Sequence, residues 1–466
     1  MELWKLTAAE LSRGYAQNDF SPCEAVTACL ARNAQVNPVL NAVVCVDEAG
    51  ATRAARESAD RHRRGESRGP LDGIPFTVKD NLFVRGVRAT WGSRLYAAFT
   101  PAEDDIPVAR LRAMGAVFIG KTNTPELAMA GYTDNRVFGV TRNPWNRELT
   151  PGGSSGGAVA ATAAGIAPIA LATDGGGSTR VPASLTGLFG LRPSTGRVPR
   201  LHGFPALVHD LQVVGLVARS VADLQSVFDA VACPDERDVS SLVFDQHPRS
   251  AVSARPRVRL VMTAGNEPVD PQVRTASLKA AAVLAAAGCT IEEGSAPFDN
   301  AEIRAIWTVL AGSGIARVVT KHADWEAQVT PAILAAAQSG LACSAGEYLG
   351  ALDRLADLRR RVRDAWSEYD FLLSPTVTAL PWRATEAGPA EIDGSPAVAG
   401  APSTFAKWVN AAAVCAISMP VCLSREGLPI GAQLVAPFGD DRRLLAMAGQ
   451  FERANDYQPA PSPLDT

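Results

Sequence analysis

The sequence predicts an α/β protein: a large mixed, mostly parallel β-sheet covered by helices on both faces. Two observations predict it. Short apolar runs ending in glycine, asparagine or aspartate alternate with helical segments along most of the chain, and such alternation builds parallel sheets with both faces buried. A length of 466 residues, 47% of them hydrophobic and 20% charged, also allows a core of the size such a sheet needs.

The elements follow in order. Ser21-Pro22-Cys23-Glu24 has capping-box spacing with proline at the first helical position, so the chain opens with helices. "NAVVCV" (41–46) predicts a short buried strand, and "DEAGATRAARESADRHRRG" a solvated helix ended by Gly65. From Leu71 onward "GIPFTVKD", "AVFIGKTN", "IAPIALATD" and "LFGLRPS" are expected strands, with Lys79 and Asp174 at carboxyl ends, where ligands gather in such sheets. "SLKAAAVLAAAGCTIEEGS" (277–295) predicts a helix stopped at Gly288 and then a strand; "YDFLLSPTV" and "PIGAQLVAP" add two more strands. Residues 300–368 look helical and carry Trp307, Trp325 and Trp366, either as a cap over a pocket or as a covering layer. The polar, proline-rich tail "DYQPAPSPLDT" is expected to be ordered only by docking.

Composition excludes several functions. The net charge is −3 and the basic residues are scattered; "RHRRGESR" (61–68) reads as a solvated turn, so no nucleic acid is expected. The five histidines are dispersed without HExxH, which argues against a metal site. The eight cysteines form no CxxC pair and mostly sit in apolar runs, as expected of buried thiols in a reducing compartment. The longest apolar windows, Gly157–Thr173 and Trp408–Leu423, are broken by Pro168 or Asn410, so no membrane span is expected. The N-terminus lacks the pattern of a secretory signal, and the expected location is the cytoplasm.

The stretch "TPGGSSGGAVAATAAGIAPIALATDGGGSTRVPAS" (150–184) invites three readings. A flexible linker lacks apolar runs, and here each glycine cluster is fused to one. A phosphate cradle is compatible with glycine turns, but no lysine follows either cluster and neither fits GxxxxGK[ST] or GxGxxG. A serine nucleophile site is the third. Gly152-Gly153-Ser154-Ser155-Gly156 satisfies GxSxG, yet the polar "NPWNRELTP" upstream is no buried strand, which an elbow requires. His202 or His209 would be the base in that case. Lys79 offers another: it ends the apolar run "GIPFTV", where burial depresses its pKa and suits it to be a general base. A lysine snorkelling at the strand end or paired with Asp80 is the alternative.

"GIPFTVKD", "GKTNTPELA", "TRNPWN", "PGGSSGG", "TDGGGSTRVPAS" and "GLFGLRPSTGRV", followed by "GLVARSVADL", "YDFLLSPT" and "GLPIGAQLVA", together resemble the amidase signature family, serine hydrolases with a Ser-cisSer-Lys triad. The resemblance runs over nearly the whole chain. It implies a single domain (1–466) with N-terminal helices (1–65), a signature core holding the triad (66–230) and a helical cap lining the pocket (300–368). It implies Lys79 as base, Ser154 as bridge and Ser178 as nucleophile, with backbone N–H groups of Gly175, Gly176, Gly177 and Ser178 as the oxyanion hole. Ser155, Thr173, Asp174 and Arg180 match supporting residues. Two places depart from the family pattern: Gly175 stands where a larger residue is usual, and Ala413-Val414-Cys415 replaces a Gly-x-Pro step after Asn410.

The chemistry is coherent. A serine hydroxyl needs a base as it attacks, and a neutral lysine acting through a second serine relays the proton without imidazole. Each oxyanion donor in comparable sites contributes about 3 kcal/mol. The expected activity is cleavage of an amide C–N bond, in an aryl amide or a carbamate among others, through an acyl-Ser178 intermediate. No cofactor is implied, the partner is a small-molecule amide or carbamate, and a homodimer is the default assembly. Met129, Gly131 and Tyr132, in "MAGYTDNRVFG" (129–139), are the expected pocket residues, with Phe138 and the three tryptophans hinting at an apolar substrate. No arginine falls at a recognisable pocket position, so a carboxylated substrate is not argued. The alternatives are a protein like the glutamine-hydrolysing component of a tRNA-dependent amidotransferase, working in a complex, an inactive binding protein, and a histidine-based esterase.

Overall fold

In the computed structural model, which describes residues 2–244 and 255–457, the N-terminal segment forms as its capping signals dictate. The Ser21 hydroxyl accepts from the Glu24 N–H and the Glu24 carboxylate accepts from the Ser21 N–H, with Pro22 opening the helix Pro22–Leu40. β1 (Val43–Val46) follows, then the solvated helix Glu48–Arg63, past which Gly65 adopts φ +70°. The tail beyond Tyr457 lies outside the described residues.

The further strands are β2 (Pro75–Lys79), β3 (Val117–Thr122), β4 (Ile169–Asp174), β5 (Phe189–Arg192), β6 (Val213–Ala218), β7 (Arg257–Leu260), β8 (Thr290–Glu293), β9 (Phe371–Pro375), β10 (Glu391–Ile392), β11 (Ser395–Pro396), β12 (Cys415–Leu423) and β13 (Pro429–Ala436). Among the described residues, all but the β10–β11 hairpin join β1 in one 11-stranded sheet, ordered β1-β3-β2-β4-β6-β5-β12-β13-β9-β7-β8. This is the expected large mixed sheet with helices around it. Its parallel pairing falls in two blocks, β3-β2-β4 and β9-β7-β8. β1 with β3, and each neighbouring pair from β4 through β6, β5, β12 and β13 to β9, is antiparallel. The reason is partly local, because the short 424–428 loop between β12 and β13 cannot carry a parallel crossover. The apolar pattern did not single out β6, β7 or β12; β12 is a continuous apolar run, which periodicity alone does not distinguish from a buried helix.

Helix Gly156–Ala163, buried along its whole length, packs on β2, β4 and β6, and helix Arg180–Thr186 packs on β5, β12 and β13. Helices Pro271–Ala286 and Asp441–Ala454 pack on β12 and β13. The 300–368 segment forms helices Asn300–Val319, Trp325–Gln328, Pro331–Ala342 and Ala345–Ala365. No helix among the described residues is long and apolar enough to cross a membrane.

The departure at Ala413 has a defined backbone consequence. Ala413 lies between helix Thr404–Ala411 and β12 with φ +63°, its N–H donating to the Asn410 carbonyl and its carbonyl accepting from the Thr195 N–H. The turn keeps a left-handed conformation with an alanine in place of glycine, and the Cβ makes that unfavourable. Ala413→Gly is therefore expected to raise the stability by about 1 kcal/mol, read as an upward shift of the urea unfolding midpoint at unchanged slope.

Candidate active site

Parallel neighbours β2 and β4 end side by side, which brings Lys79 next to Thr173 and Asp174. Lys79 is fully buried, and its Nζ lies 2.8 Å from Ser154 Oγ, 2.9 Å from Ser155 Oγ and 3.1 Å from Thr173 Oγ1. Two of these hydroxyls commit their own protons elsewhere. Ser155 Oγ donates to the Thr173 carbonyl at 3.2 Å; Thr173 Oγ1 donates to Asn81 Oδ1 at 3.4 Å and accepts from Asn81 Nδ2 at 3.0 Å. Both therefore accept from Lys79. Ser154 has no such competing acceptor among the described residues, so its proton is available to the lone pair of a neutral amine. Burial holds the Lys79 pKa well below the ordinary lysine range, and the charge of Asp174 opposes this without reversing it. The alternative of a lysine paired with Asp80 is not what forms: the Asp80 carboxylate accepts from Thr90 N–H and Oγ1.

Ser154 lies in a loop, and the Gly153–Ser154 peptide bond is cis. The residues leading into it form turns and isolated bridges, not a strand, so GxSxG here is no nucleophile elbow. A Cβ on Gly153 would lie 2.6 Å from the Tyr132 carbonyl oxygen and 2.7 Å from that of Ala130, so glycine is what admits the 130–132 segment against Ser154. Tyr132 packs against Val181, Leu185, Val377, Trp382 and Ala406.

After β4 the chain turns through Gly175, Gly176, Gly177 and Ser178 into helix Arg180–Thr186. The Ser155 N–H donates to the Ser178 carbonyl at 3.1 Å, tying the two serine loops together. Ser154 and Ser155 are buried while Ser178 is half-buried. No hydrogen bond joins the Ser154 and Ser178 hydroxyls; the approach is through backbone. Gly177 does not fit the expected donor role. Its φ is +107° and its N–H donates to Asp174 Oδ1 at 2.8 Å, turned away from the open side. The N–H groups of Gly175, Gly176 and Ser178 make no hydrogen bond among the described residues and remain as donors. Gly175 is half-buried, and a Cβ there would rest 3.6 Å from Gln212 and Val208, an ordinary contact.

Asp174 organises this turn. Its carboxylate accepts from Gly177 N–H, from Thr179 N–H at 3.2 Å, and from Arg180 Nε and a terminal guanidinium nitrogen, each at 3.0 Å. Asn410 Nδ2 lies 3.0 Å from Asp174 Oδ1 and 3.0 Å from the Asp174 carbonyl. Arg180 in turn donates to Asn410 Oδ1 at 2.6 Å and Gln433 Oε1 at 2.5 Å. Burial alone would raise the Asp174 pKa, but the charges of Arg180 and Arg192 and the hydrogen bonds from Arg180 and Asn410 outweigh it and hold the carboxyl well below its usual range.

Asn81, Asn410 and Gln433 are site residues that the motifs left without a role. Their signals were a polar residue two positions beyond Lys79 and single amides inside the apolar runs "FAKWVNAAAV" and "PIGAQLVA". The other expected pocket residues divide. Trp307 reaches the turn: a Cβ on Gly176 would lie 2.7 Å from its ring. Trp325 and Met129 pack against the cluster of Trp91, Leu127 and Ile315, and Trp366 packs edge-on to Tyr369 with ring centroids 5.0 Å apart. Gly131 is exposed, and Phe138 lies under Arg88. His209 is exposed with Asp210 4.0 Å away, and neither it nor His202 hydrogen-bonds a site serine among the described residues.

The site thus sets a buried lysine-serine pair beside a partly exposed serine on a glycine turn, with neither His202 nor His209 hydrogen-bonded to a site serine among the described residues. The comparisons place the chain more narrowly. The Amidase family model matches residues 24–445. An acylamidase of Rhodococcus erythropolis is 33% identical, with 98% of each chain covered. The A component of the glutamyl-tRNA(Gln) amidotransferase of Symbiobacterium thermophilum is also 33% identical, again with 98% of each covered. Among solved structures, a bacterial aryl acylamidase superposes with TM-score 0.88 at 26% identity, covering 98% of this chain and 99% of its own. A 6-aminohexanoate cyclic dimer hydrolase in complex with substrate gives 0.85 at 28% identity and the same coverage. The chain belongs to the amidase signature family. It is an amidase-type hydrolase acting on carbon–nitrogen bonds.

Removing one partner of a buried, hydrogen-bonded ion pair leaves an uncompensated charge. Arg180→Met is accordingly expected to destabilise the protein by about 3–5 kcal/mol, measured by denaturant unfolding near neutral pH.

Proposed function

We propose that this protein cleaves amides by a Ser178–Ser154–Lys79 relay. Neutral Lys79 takes the proton of Ser154, Ser154 takes that of Ser178, and the Ser178 oxygen attacks the carbonyl carbon. The tetrahedral oxyanion is received by the N–H groups of Gly176 and Ser178. The proton returns along the same path to the departing amine as the C–N bond breaks, leaving an acyl-Ser178 ester. Water, deprotonated through the relay, hydrolyses that ester and frees the acid. Ser155, Thr173 and Asn81 hold the lysine, and Asp174 with Arg180 holds the turn.

The single observation that carries this reading is the hydrogen-bond pattern at Lys79: two hydroxyls with committed protons and one, Ser154, with its proton free. The Ser155 N–H to Ser178 carbonyl bond holds the two serine loops together, and in the proposed reaction the Ser154 and Ser178 hydroxyls come into hydrogen-bond contact as the carbonyl is attacked. Aryl amides are the favoured substrates, supported by the indole of Trp307 beside Gly176 and by the likeness to an aryl acylamidase. Carbamates present the same carbonyl to the same relay and form a second arm of the substrate screen. The likeness to the amidotransferase component favours one further reading, glutamine hydrolysis within a complex.

A fluorophosphonate is expected to label Ser178, located by peptide mass spectrometry, and labelling is expected to vanish in Lys79→Ala. Labelling at Ser155 instead would overturn the mechanism. Loss of a general base should lower kcat on a p-nitroanilide by roughly 10²–10⁴-fold. The pH profile follows from the lowered Lys79 pKa: the base is active when unprotonated, so kcat/KM rises with pH along one limb whose midpoint lies below the ordinary lysine range. A limb near the ordinary lysine value would contradict the assignment. Glutaminase activity that exceeds anilide hydrolysis would favour the amidotransferase reading.

A further inference from the structure

Two successive residues of helix Thr404–Ala411 touch the surroundings of the 175–178 turn, one directly and one through Trp307. Ala406 faces Gly177, whose Cβ, were there one, would lie 2.5 Å from that of Ala406. Lys407 follows, with its ammonium over the ring of Trp307, 6.0 Å from the centroid. The same indole rests on Gly176, which is itself a proposed oxyanion donor and lies two residues before Ser178.

Lys407 is half-buried and makes no hydrogen bond or ion pair among the described residues. The acidic group whose field reaches it is Glu267, and that carboxylate is held by Arg304 at 2.5 Å. Arg304 adds a positive charge that opposes the Lys407 charge. Burial, reinforced by Arg304 and only partly offset by Glu267, lowers the Lys407 pKa. A partly buried cation whose acidic neighbour Glu267 is already paired with Arg304, and which has only a ring face against it, is under-compensated. A bound anion would remove that penalty and gain a charge-assisted hydrogen bond.

We infer that Lys407 is a specificity-determining residue that receives a carboxylate on the substrate, so that the preferred amides carry an acid group on the portion lying along Trp307. This rests on the proposed acyl-Ser178 chemistry and narrows its substrate class. The apolar face of Trp307 packs the chain between the two ends, and the ammonium reads the terminus.

The test uses two p-nitroanilides of each of the four-, five- and six-carbon linear diacids, one with the free distal carboxylate and one with its methyl ester. In the unmodified enzyme the carboxylate is expected to be favoured in kcat/KM by at least tenfold for at least one chain length, mainly through KM. In Lys407→Met the ratio should collapse to near one, and in Lys407→Arg a preference of at least threefold should survive. A second readout needs no turnover: the matching diacid monoamide should slow fluorophosphonate labelling of Ser178 more than its methyl ester does, and Lys407→Met should erase the difference. Equal rates for acid and ester at every length, or a preference that survives in Lys407→Met, overturns the inference while the amidase mechanism stands. Failure of both labelling and hydrolysis would instead strike the Ser178 reading, and this inference with it.

Discussion

One buried carboxylate holds the site together. Asp174 ends β4 and accepts hydrogen bonds from the turn that follows it, from the guanidinium of Arg180 and from Asn410 on a helix more than two hundred residues later. Through Arg180 the same cluster reaches Gln433 on β13. The turn and the helix of Asn410 thus meet on one oxygen pair, and β13 joins them through Arg180. A lone carboxylate at that depth would be neutral or excluded, so its ionisation and the closeness of those segments are the same fact.

The cluster also acts on Lys79, the proposed base. Asp174 is the charge that pulls the Lys79 pKa upward, while burial pulls it down. Arg180 pairs with the same carboxylate, and burial outweighs the upward pull of Asp174 on Lys79. Around the amine it supplies only hydroxyls, which serve a neutral or a charged nitrogen alike. A carboxylate in place of Ser155 or Thr173 would bond Lys79 more strongly and fix it as an ammonium. The hydroxyl shell is weaker and keeps both protonation states within reach, as a base that must take and return a proton requires.

Much of this was legible in the sequence because chemistry constrains it locally. A lysine closing "GIPFTV" is anomalous for burial, and the glycine pairs around Ser154 and Ser178 mark close backbone approaches. The large mixed sheet followed from the alternation of apolar runs and helices. What the pattern lacked was pairing: β6 and β12 insert antiparallel between strands that look alike in sequence, and order in a sheet is a long-range property. Gly177 was misassigned because adjacent glycines are identical on paper. Only the φ of +107° shows which N–H turns inward. Asn410 and Lys407 escaped because a helix face has meaning only once its neighbour is known, although their spacing of three places them on one side.

The inward N–H of Gly177 gives the turn its logic. Asp174 takes up the Gly177 N–H, while those of Gly176 and Ser178 make no hydrogen bond among the described residues. In the proposed mechanism, a turn held in this way would present its donors with little reorganisation as charge develops on the carbonyl oxygen. The ring of Trp307 rests against Gly176 without a side chain in between. The end of β4, with Asp174, and helix Asn300–Val319, with Trp307, both hold against this short loop. Rigid elements hold a catalytic turn more closely than a loop holds itself, which is why the glycines here serve close packing more than mobility.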